Sequence, residues 1–371
     1  MKKTTRFAAF AAAVLMLCVA CAGCGGSKAT EYKVGATGPL TGDASSYGNS
    51  VKQGAQLAFD EINAAGGLNG VPFTFDIKDD KATPAEAATG YDALIDDGMQ
   101  ISLGSVTSGS CEAFAAKAVQ DNVFFITPSA SAANVIADRP NAFRVCFGDP
   151  DQGTLAAEEL TKTYTKIGAI YDTSDAYSSG IYDAFKAEMD KLGKTFTVQT
   201  FDKENNKDFS TQVEALKDCE VIFLPIYYTE AGLIAKACVA KSVTAALFGC
   251  DGLDGVADQI DATVKNPVSY ITPFDVNSTS KKSADFTAAY KAKYNADPDQ
   301  FAADAYDAAY VIFEAMKAAG VDDPSISASD LCDKVVKAIT DASFTFDGVT
   351  GKMTWDASGA CAKEPVIVKL Q

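Results

Sequence analysis

Two short segments rich in hydroxyl groups each stand between a predicted strand and a predicted helix. Residues 107–110 follow a strand at residues 101–103, and residues 128–131 follow a strand at residues 123–127. Helix starts of this kind offer backbone N–H groups, hydroxyl donors and the positive end of the helix dipole, which together suit a carboxylate. The serines could instead act only as helix caps. The two segments of this predicted anion site are Thr107-Ser108-Gly109-Ser110 and Pro128-Ser129-Ala130-Ser131.

An acidic residue in the second half of the chain could bind the opposite charge. Asp251 follows a predicted strand at residues 246–249, within Cys250-Asp251-Gly252. Ligands of open parallel sheets lie at the carboxyl ends of the strands. Asp251 would therefore face the anion site across a cleft, where it could hold an ammonium group. Tyrosine rings could wall this cleft, although core packing is the alternative for each of them. These tyrosines are Tyr47, Tyr177 and Tyr227.

The elements that would position these residues alternate between strand and helix. A first run extends from a strand at residues 32–36 to the strand at residues 123–127, and a second run follows Asp149-Pro150 and ends near residue 272. Strand–helix–strand units at this spacing form right-handed parallel crossovers. We therefore predict an α/β fold with two doubly wound parallel-sheet lobes. Longer helices and a β-like tail follow them.

Composition excludes most kinds of catalytic site. The 371 residues include no histidine, which removes Ser-His-Asp catalysis, Cys-His catalysis and histidine zinc sites. The net charge of −17 argues against nucleic acid as a partner. Asp79 and Asp80 end a strand on which neighbouring side chains point to opposite faces, so a solvated loop is the better interpretation than a metal or acid–base pair. We predict no enzymatic activity, no cofactor and no metal.

The cysteines are scattered rather than paired in sequence. Seven of them follow the N-terminal segment, and none forms a CxxC pair, so neither a zinc site nor an iron–sulfur site is expected. Export would permit disulfides, but the odd number leaves at least one thiol unpaired. Most of them are expected to be small buried thiols. They are Cys111, Cys146, Cys219, Cys238, Cys250, Cys332 and Cys361.

The N-terminus has the features of an export signal. Basic residues in the first six positions precede an apolar run at residues 7–20, which is too short for a permanent membrane span. Cys21-Ala22-Gly23-Cys24 resembles a lipobox, which implies a signal peptide at residues 1–23, a lipid on the Cys24 sulfur and a tether at residues 24–31. Cys21 is a second candidate for lipidation, and an ordinary signal peptide cut nearby is the alternative.

Longer motifs resemble a known family. Gly38-Pro39-Leu40-Thr41-Gly42, the segment Glu61–Gly67 and the segment Phe346–Gly351 resemble branched-chain amino-acid-binding proteins of ABC transporters, the leucine/isoleucine/valine-binding protein family. Further matching segments lie in order between them. These are Tyr47-Gly48, Gly54-Ala55, Ile126–Ala130, Phe143-Arg144-Val145, Asp175-Ala176-Tyr177 and Tyr227-Tyr228.

The resemblance implies a type I periplasmic-binding fold whose lobes are joined by a three-segment hinge. The crossings would lie near Gly148, Thr272 and Phe346, so that lobe 1 comprises residues 32–148 plus 272–345 and lobe 2 comprises residues 149–271 plus 346–371. It also implies roles for the residues already singled out. Ser108 and the loop Ser129-Ala130-Ser131 would hold an α-carboxylate. Asp251, where many relatives have glutamate, would hold the α-ammonium.

The tyrosines and the partners complete this expectation. Tyr47, Tyr177 and Tyr227 would line the side-chain pocket, with the register between Tyr227 and Tyr228 left open. The expected protein is an exported, lipid-anchored monomer that captures leucine, isoleucine, valine or a related amino acid by hinge closure and delivers it to an ABC transporter permease. Its contact with the membrane would be through the N-terminal lipid only. The alternative is a sensory protein for an amino acid, an amide or a urea-like solute, and aromatic acids are a further possible ligand class.

Overall fold

The computed structural model describes residues 29–370. The predicted signal peptide and both candidate lipidation sites, Cys24 and Cys21, lie outside the described residues, as does most of the tether. Within the described range, no helix has the length and apolar character that crossing a bilayer requires.

The first sheet is formed by five parallel strands in the order β2-β1-β3-β4-β5. Helices connect these strands as right-handed crossovers require, so their carboxyl ends lie along one edge. The strands are β1 (Tyr32–Gly38), β2 (Phe73–Asp79), β3 (Ile101–Ser102), β4 (Phe125–Thr127) and β5 (Ala142–Arg144). The connecting helices are α1 (Ser45–Ala64), α2 (Pro84–Asp96) and α3 (Ser108–Gln120), and a short 3-10 turn covers Ala133–Val135.

The second sheet has five parallel strands and one antiparallel edge strand, in the order β13-β10-β9-β8-β6-β7. Its strands are β6 (Ile167–Asp172), β7 (Thr197–Phe201), β8 (Val221–Leu224), β9 (Ala246–Gly249), β10 (Val268–Thr272) and β13 (Val366–Lys369). Its helices are α4 (Asp149–Thr163), α5 (Ala176–Lys191), α6 (Ser210–Ala215) and α7 (Tyr228–Lys241), and 3-10 turns at Asp251–Leu253 and Val256–Asp258 follow β9. Two doubly wound parallel sheets confirm the predicted fold class.

Three further helices and a hairpin lie between β10 and β13. The helices are α8 (Lys281–Tyr294), α9 (Gln300–Ala318) and α10 (Ala328–Ile339), and the hairpin strands are β11 (Phe346–Asp347) and β12 (Lys352–Met353). Helix α9 packs closely on α1 because Gly54 has no side chain. A Cβ atom at Gly54 would lie 2.0 Å from the Ala302 carbonyl oxygen. This contact brings the N-terminal end of α9 next to the carboxyl edge of the first sheet.

The C-terminal segment corrects one predicted crossing. The Asp307 carboxylate of α9 accepts hydrogen bonds from the N–H groups of Val349 and Thr350, both at 2.9 Å. Trp355 Nε1 then donates to the Arg144 carbonyl of β5 at 2.7 Å. The chain therefore stays beside the first sheet past Phe346 and joins the second sheet only at β13. The crossing predicted near Phe346 is wrong, because a hairpin motif does not show which surface it covers. The other lobe boundaries stay predictions.

Candidate ligand site between the two sheets

A small cavity lies where loops of the first sheet meet loops of the second. Its volume is about 10 Å³, which is room for roughly one water molecule. Six of the eight predicted ligand-binding residues line it, namely Tyr47, Ser108, Ser129, Tyr177, Tyr227 and Asp251. The other two, Ala130 and Ser131, are buried in the loop after β4 and do not line the cavity. The remaining lining residues are Val106, Thr107, Gly252 and Phe301.

The loops after β3 and β4 form the anion half of this cavity. Ser108 Oγ accepts the Ala132 N–H at 3.1 Å, and Ser129 Oγ donates to the Val106 carbonyl at 2.9 Å. These bonds join the two loops side by side. Neither serine caps a helix, because the N-cap positions are Thr107 and Ala132, whose side chains make no capping bond.

Several donors in this half have no acceptor within the protein. Ser108 accepts a hydrogen bond, so its hydroxyl proton stays available for a ligand. Among residues 29–370, the Ser131 N–H has no acceptor and the buried Thr107 hydroxyl has no partner. The first turn of α3 adds unpaired N–H groups and the positive end of its dipole. This arrangement fits a carboxylate.

Asp251 forms the opposite half. Its side chain is buried in the 3-10 turn after β9, and Tyr177 Oη donates to Asp251 Oδ1 at 2.7 Å. The Asp251 N–H donates to Gln152 Oε1 at 3.0 Å, and the Gly252 N–H donates to Tyr177 Oη at 2.8 Å. These partners are neutral, so burial dominates and raises the pKa of Asp251 to about 6. A cation next to this carboxylate would stabilise its ionised form and lower its pKa.

Aromatic rings form the wall between the two halves. The Tyr47 ring lies at the centre, with centroids 5.6 Å from Tyr227, 4.9 Å from Tyr228 and 4.2 Å from Phe301. Tyr177 stacks on Tyr227 at 5.0 Å. Tyr227 lines the cavity, whereas Tyr228 packs behind Tyr47 with its hydroxyl 3.4 Å from the Ser46 nitrogen. This geometry places Tyr227, rather than Tyr228, at the cavity surface.

Hydrogen bonds across the cavity hold the two sides together. Tyr47 Oη, from α1, donates to the Gly252 carbonyl at 2.5 Å and accepts the Tyr228 N–H at 3.1 Å. From the start of α9, Gln300 Nε2 donates to the Asp251 carbonyl at 2.5 Å. The Gln300 N–H also donates to Asp254 Oδ2 at 3.0 Å. The loops of the two sheets are therefore in contact, as in the closed form of a hinged protein.

Sequence reasoning missed several buried polar residues around the site. Gln152 and Asp149 are each 1% exposed, and Gln300 is 2% exposed. Burial raises the pKa of Asp149 well above its ordinary value. The Asp149-Pro150 start of α4 was a signal for this residue, because acidic side chains favour a first helical turn. Phe301 and Gln300 had no comparable signal, since only the packing of α9 on α1 brings them to the cavity.

Asp79 and Asp80 hydrogen-bond to neighbouring loops of the first sheet and do not form a solvated loop. Asp80 is fully buried, with Oδ2 accepting the Ser105 hydroxyl at 2.7 Å and Oδ1 accepting the Ala82 N–H at 2.9 Å. Asp79 Oδ1 accepts the Leu40 N–H at 2.9 Å. The two carboxylates tie the loops after β1, β2 and β3 together. The solvated-loop interpretation was wrong because a strand end gives no measure of how many loops converge on it.

The described part of the chain contains no cluster of metal-ligating side chains and no disulfide. No group of three or more acidic, cysteine or histidine side chains in residues 29–370 could hold a metal ion. The seven cysteines from Cys111 to Cys361 are free thiols, and all of them are buried except the partly exposed Cys219.

Known proteins share this fold and this length. The family model described as periplasmic binding protein matches residues 31–368. The Leu/Ile/Val-binding protein BraC3 of Rhizobium johnstonii is 30% identical over 336 residues, which is 88% of each chain. The crystal structure of LivJ from Streptococcus pneumoniae, a branched-chain amino acid transporter substrate-binding protein in complex with isoleucine, has a TM-score of 0.77 and 28% identity and covers 91% of this chain and 99% of LivJ.

A further solved structure extends the fold to another ligand. The solute-binding protein of an ABC transporter from R. palustris, in complex with benzoate, has a TM-score of 0.80 at 19% identity over 92% of this chain and 93% of its own. At that identity the likeness shows the fold alone. The resemblance noted in the sequence is confirmed by the family model and by the more similar relatives. The chain is a member of the periplasmic binding protein family, whose members bind solutes without chemical turnover, as the sequence analysis predicted.

Proposed function

We propose that this protein captures a small zwitterionic amino acid of the leucine, isoleucine and valine class. The observation that carries the proposal is the placement of hydroxyl and N–H donors around Ser108 on one side of a cavity and the buried Asp251 carboxylate on the other. Ser108 and the loop Ser129-Ala130-Ser131 would hold the α-carboxylate. Asp251 would hold the α-ammonium. The names of BraC3 and LivJ support an aliphatic side chain against the aromatic wall.

The charge on Asp251 favours a zwitterion over a simple carboxylate. Benzoate would satisfy the donors around Ser108, but it carries no cation for Asp251. A buried charge left without its partner costs about 3–5 kcal/mol. An ammonium group on the ligand removes this cost, so an α-amino acid suits both halves of the cavity.

Closure of the hinge would couple binding to transport. A ligand that bridges Ser108 and Asp251 stabilises only the closed arrangement, in which Tyr47 and Gln300 also reach across the cavity. We propose that the closed, monomeric protein delivers its ligand to an ABC transporter permease. We further propose that it works outside the cytoplasm, anchored by a lipid on Cys24.

Ligand analogues with one charge removed test the binding proposal. Leucine at a hundred times its Kd should add about 2.7 kcal/mol to the free energy of unfolding. The analogue 4-methyl-2-oxopentanoate lacks the ammonium, and isoamylamine lacks the carboxylate, so each should stabilise the protein far less in a thermal-shift assay. Benzoate serves as the aromatic control. Equal stabilisation by leucine and its oxo-acid, or no response to any of the twenty amino acids, would overturn the proposal.

Lipid anchoring has its own test. Cys24→Ser should release the protein from the membrane fraction into the soluble extracytoplasmic fraction, whereas the matched Cys21→Ser variant should leave it anchored. Release by Cys21→Ser alone would move the lipid to Cys21. Release by neither variant would remove the lipid anchor.

A further inference from the structure

A buried guanidinium lies behind the loop that carries the proposed anion-binding residues. Arg144, the last residue of β5, is 3% exposed. Its Nη1 donates to the Ser131 carbonyl, and its Nη2 donates to the Ala132 carbonyl at 3.0 Å. Both acceptors are neutral backbone carbonyl groups. The guanidinium therefore binds the loop itself, through two side-by-side hydrogen bonds.

The backbone of Arg144 is fixed in turn by the C-terminal segment. Trp355 Nε1 donates to the Arg144 carbonyl at 2.7 Å, and the Arg144 N–H donates to the Gly359 carbonyl at 3.1 Å. Gly359 has a φ of +74°, and a Cβ atom there would lie 2.0 Å from the Ala142 carbonyl oxygen. The segment therefore lies tightly against β5. The C-terminal segment thus fixes the backbone of Arg144, and the guanidinium of Arg144 in turn holds the Ser131-Ala132 segment.

The two carbonyl groups that Arg144 holds belong to residues whose N–H groups serve the anion half. The Ala132 N–H donates to Ser108 Oγ at 3.1 Å, which leaves the Ser108 hydroxyl proton for a ligand. The Ser131 N–H has no acceptor among the described residues. The Ser131 carbonyl also accepts the Asp149 N–H at 3.0 Å, so the same peptide is attached to the start of α4. One short segment therefore connects the anion half to the first crossing between the sheets.

We propose that Arg144 is a positioning residue. It orients the Ser131-Ala132 segment so that the Ala132 N–H holds Ser108 Oγ, while the Ser108 hydroxyl proton and the Ser131 N–H are left for the ligand carboxylate. Its positive charge, in a site shielded from water, adds to the field that favours an anion there. Asp149 is the acidic group closest in the chain to this charge. Burial raises the pKa of Asp149 and so favours its neutral form.

The ligand in this inference rests on the proposed function. The positioning of the Ser131-Ala132 segment by Arg144 does not depend on that function. Arg144→Met removes the charge and both donors at similar length, whereas Arg144→Lys keeps the charge and loses the fork. We expect leucine affinity, measured by calorimetry at 10 °C, to fall roughly 10-fold for Arg144→Lys and 100-fold for Arg144→Met. Arg139→Met is the matched control, because Arg139 lies on the same segment of chain but outside the cavity lining. It should bind leucine within twofold of the unmodified protein.

Amide hydrogen exchange of the ligand-free protein separates positioning from general stability. Arg144→Met should speed exchange at Ala132 at least 10-fold while amides of β1 keep their protection, and Arg139→Met should change neither. Unchanged exchange at Ala132, or equal leucine affinity for all variants, would overturn the role of Arg144. If the unmodified protein binds no amino acid, the proposed function fails, and the exchange data still decide whether Arg144 positions the segment.

Discussion

Replacement of Asp251 by asparagine should make the ligand-free protein more stable and should also lower its affinity for the ligand. Asparagine has the shape of aspartate and keeps an oxygen that can accept the Tyr177 hydroxyl, which now lies 2.7 Å from Asp251 Oδ1. The substitution removes a charge that is buried among neutral partners and replaces the second carboxylate oxygen by an NH2 group. A site built for stability would not hold such a charge, whereas a site built for a cation requires it.

The magnitude follows from the pKa of Asp251. Burial raises this pKa from 3.8 to about 6, and at 1.36 kcal/mol per pKa unit the ionised form costs about 3 kcal/mol in the folded state. Because the folded-state pKa is the higher one, the protein loses stability as pH rises through about 6 and regains it as pH falls toward 3.8. Asp251→Asn should therefore be up to about 3 kcal/mol more stable than the unmodified protein at pH 7. This difference should vanish near pH 4.

Thermal unfolding at pH 4, 5, 6, 7 and 8, with and without leucine, measures both effects. Without ligand, the melting temperature of Asp251→Asn should exceed that of the unmodified protein by a margin that grows as pH rises above about 4 and levels off above about 6. Leucine should stabilise the unmodified protein, but its affinity for the variant should be roughly 10²–10³-fold weaker, since a buried charge without its partner costs about 3–5 kcal/mol. A variant that is less stable at pH 7, or that binds leucine within a few fold of normal, would refute the assignment of Asp251.

Four further outcomes are expected. Ser108→Ala should weaken leucine binding roughly 10- to 100-fold by calorimetry, because it removes a hydroxyl contact to a charge. The affinity for leucine should fall up to 10-fold per pH unit below pH 6, with release of one proton on binding, and calorimetry in two buffers of different ionisation enthalpy should detect that proton. Phe301→Ala should raise the preference for phenylalanine over leucine in competition assays, because the ring lies 4.2 Å from Tyr47 and limits the cavity. Gly348→Ala should lower stability by about 1–3 kcal/mol in denaturant without changing Kd, because its Cβ would lie 2.3 Å from Asp307 Oδ2.

The sequence predicted those parts of the site that belong to one element at a time. The positions of Ser108 and Ser129 follow from strand ends in a parallel sheet, and that of Asp251 follows from the same rule in the second run of strands. Their hydroxyl and carboxylate chemistry then restricts the ligand. Each of these inferences needs only local periodicity and the handedness of the crossovers.

The missed parts depend on contacts between distant elements. Phe301 reaches the cavity because α9 lies on α1 at Gly54, a contact across about 250 residues of chain that no local pattern encodes. The tail past Phe346 was assigned to the wrong sheet for the same reason. Its position is set by Asp307 and by Arg144, whose bonds to Val349 and Gly359 are long-range.

Some polar groups around the cavity are paired within the protein and others are not, and this difference shows why ligand binding and closure of the cavity should depend on each other. In the closed arrangement, Tyr47 and Gln300 satisfy the backbone carbonyls of Gly252 and Asp251, so these contacts stabilise closure without a ligand. The Asp251 carboxylate and the donors around Ser108 do not pair with each other, and closure moves both out of water. Closing an empty cavity therefore costs desolvation of these groups, whereas closing around a zwitterion exchanges their contacts with water for contacts with the ligand. A neutral ligand of the same shape would pack against the aromatic wall but would leave the desolvation cost in place. Selectivity for the two charges therefore arises when the cavity closes, and it should appear mainly in the dissociation rate of the ligand.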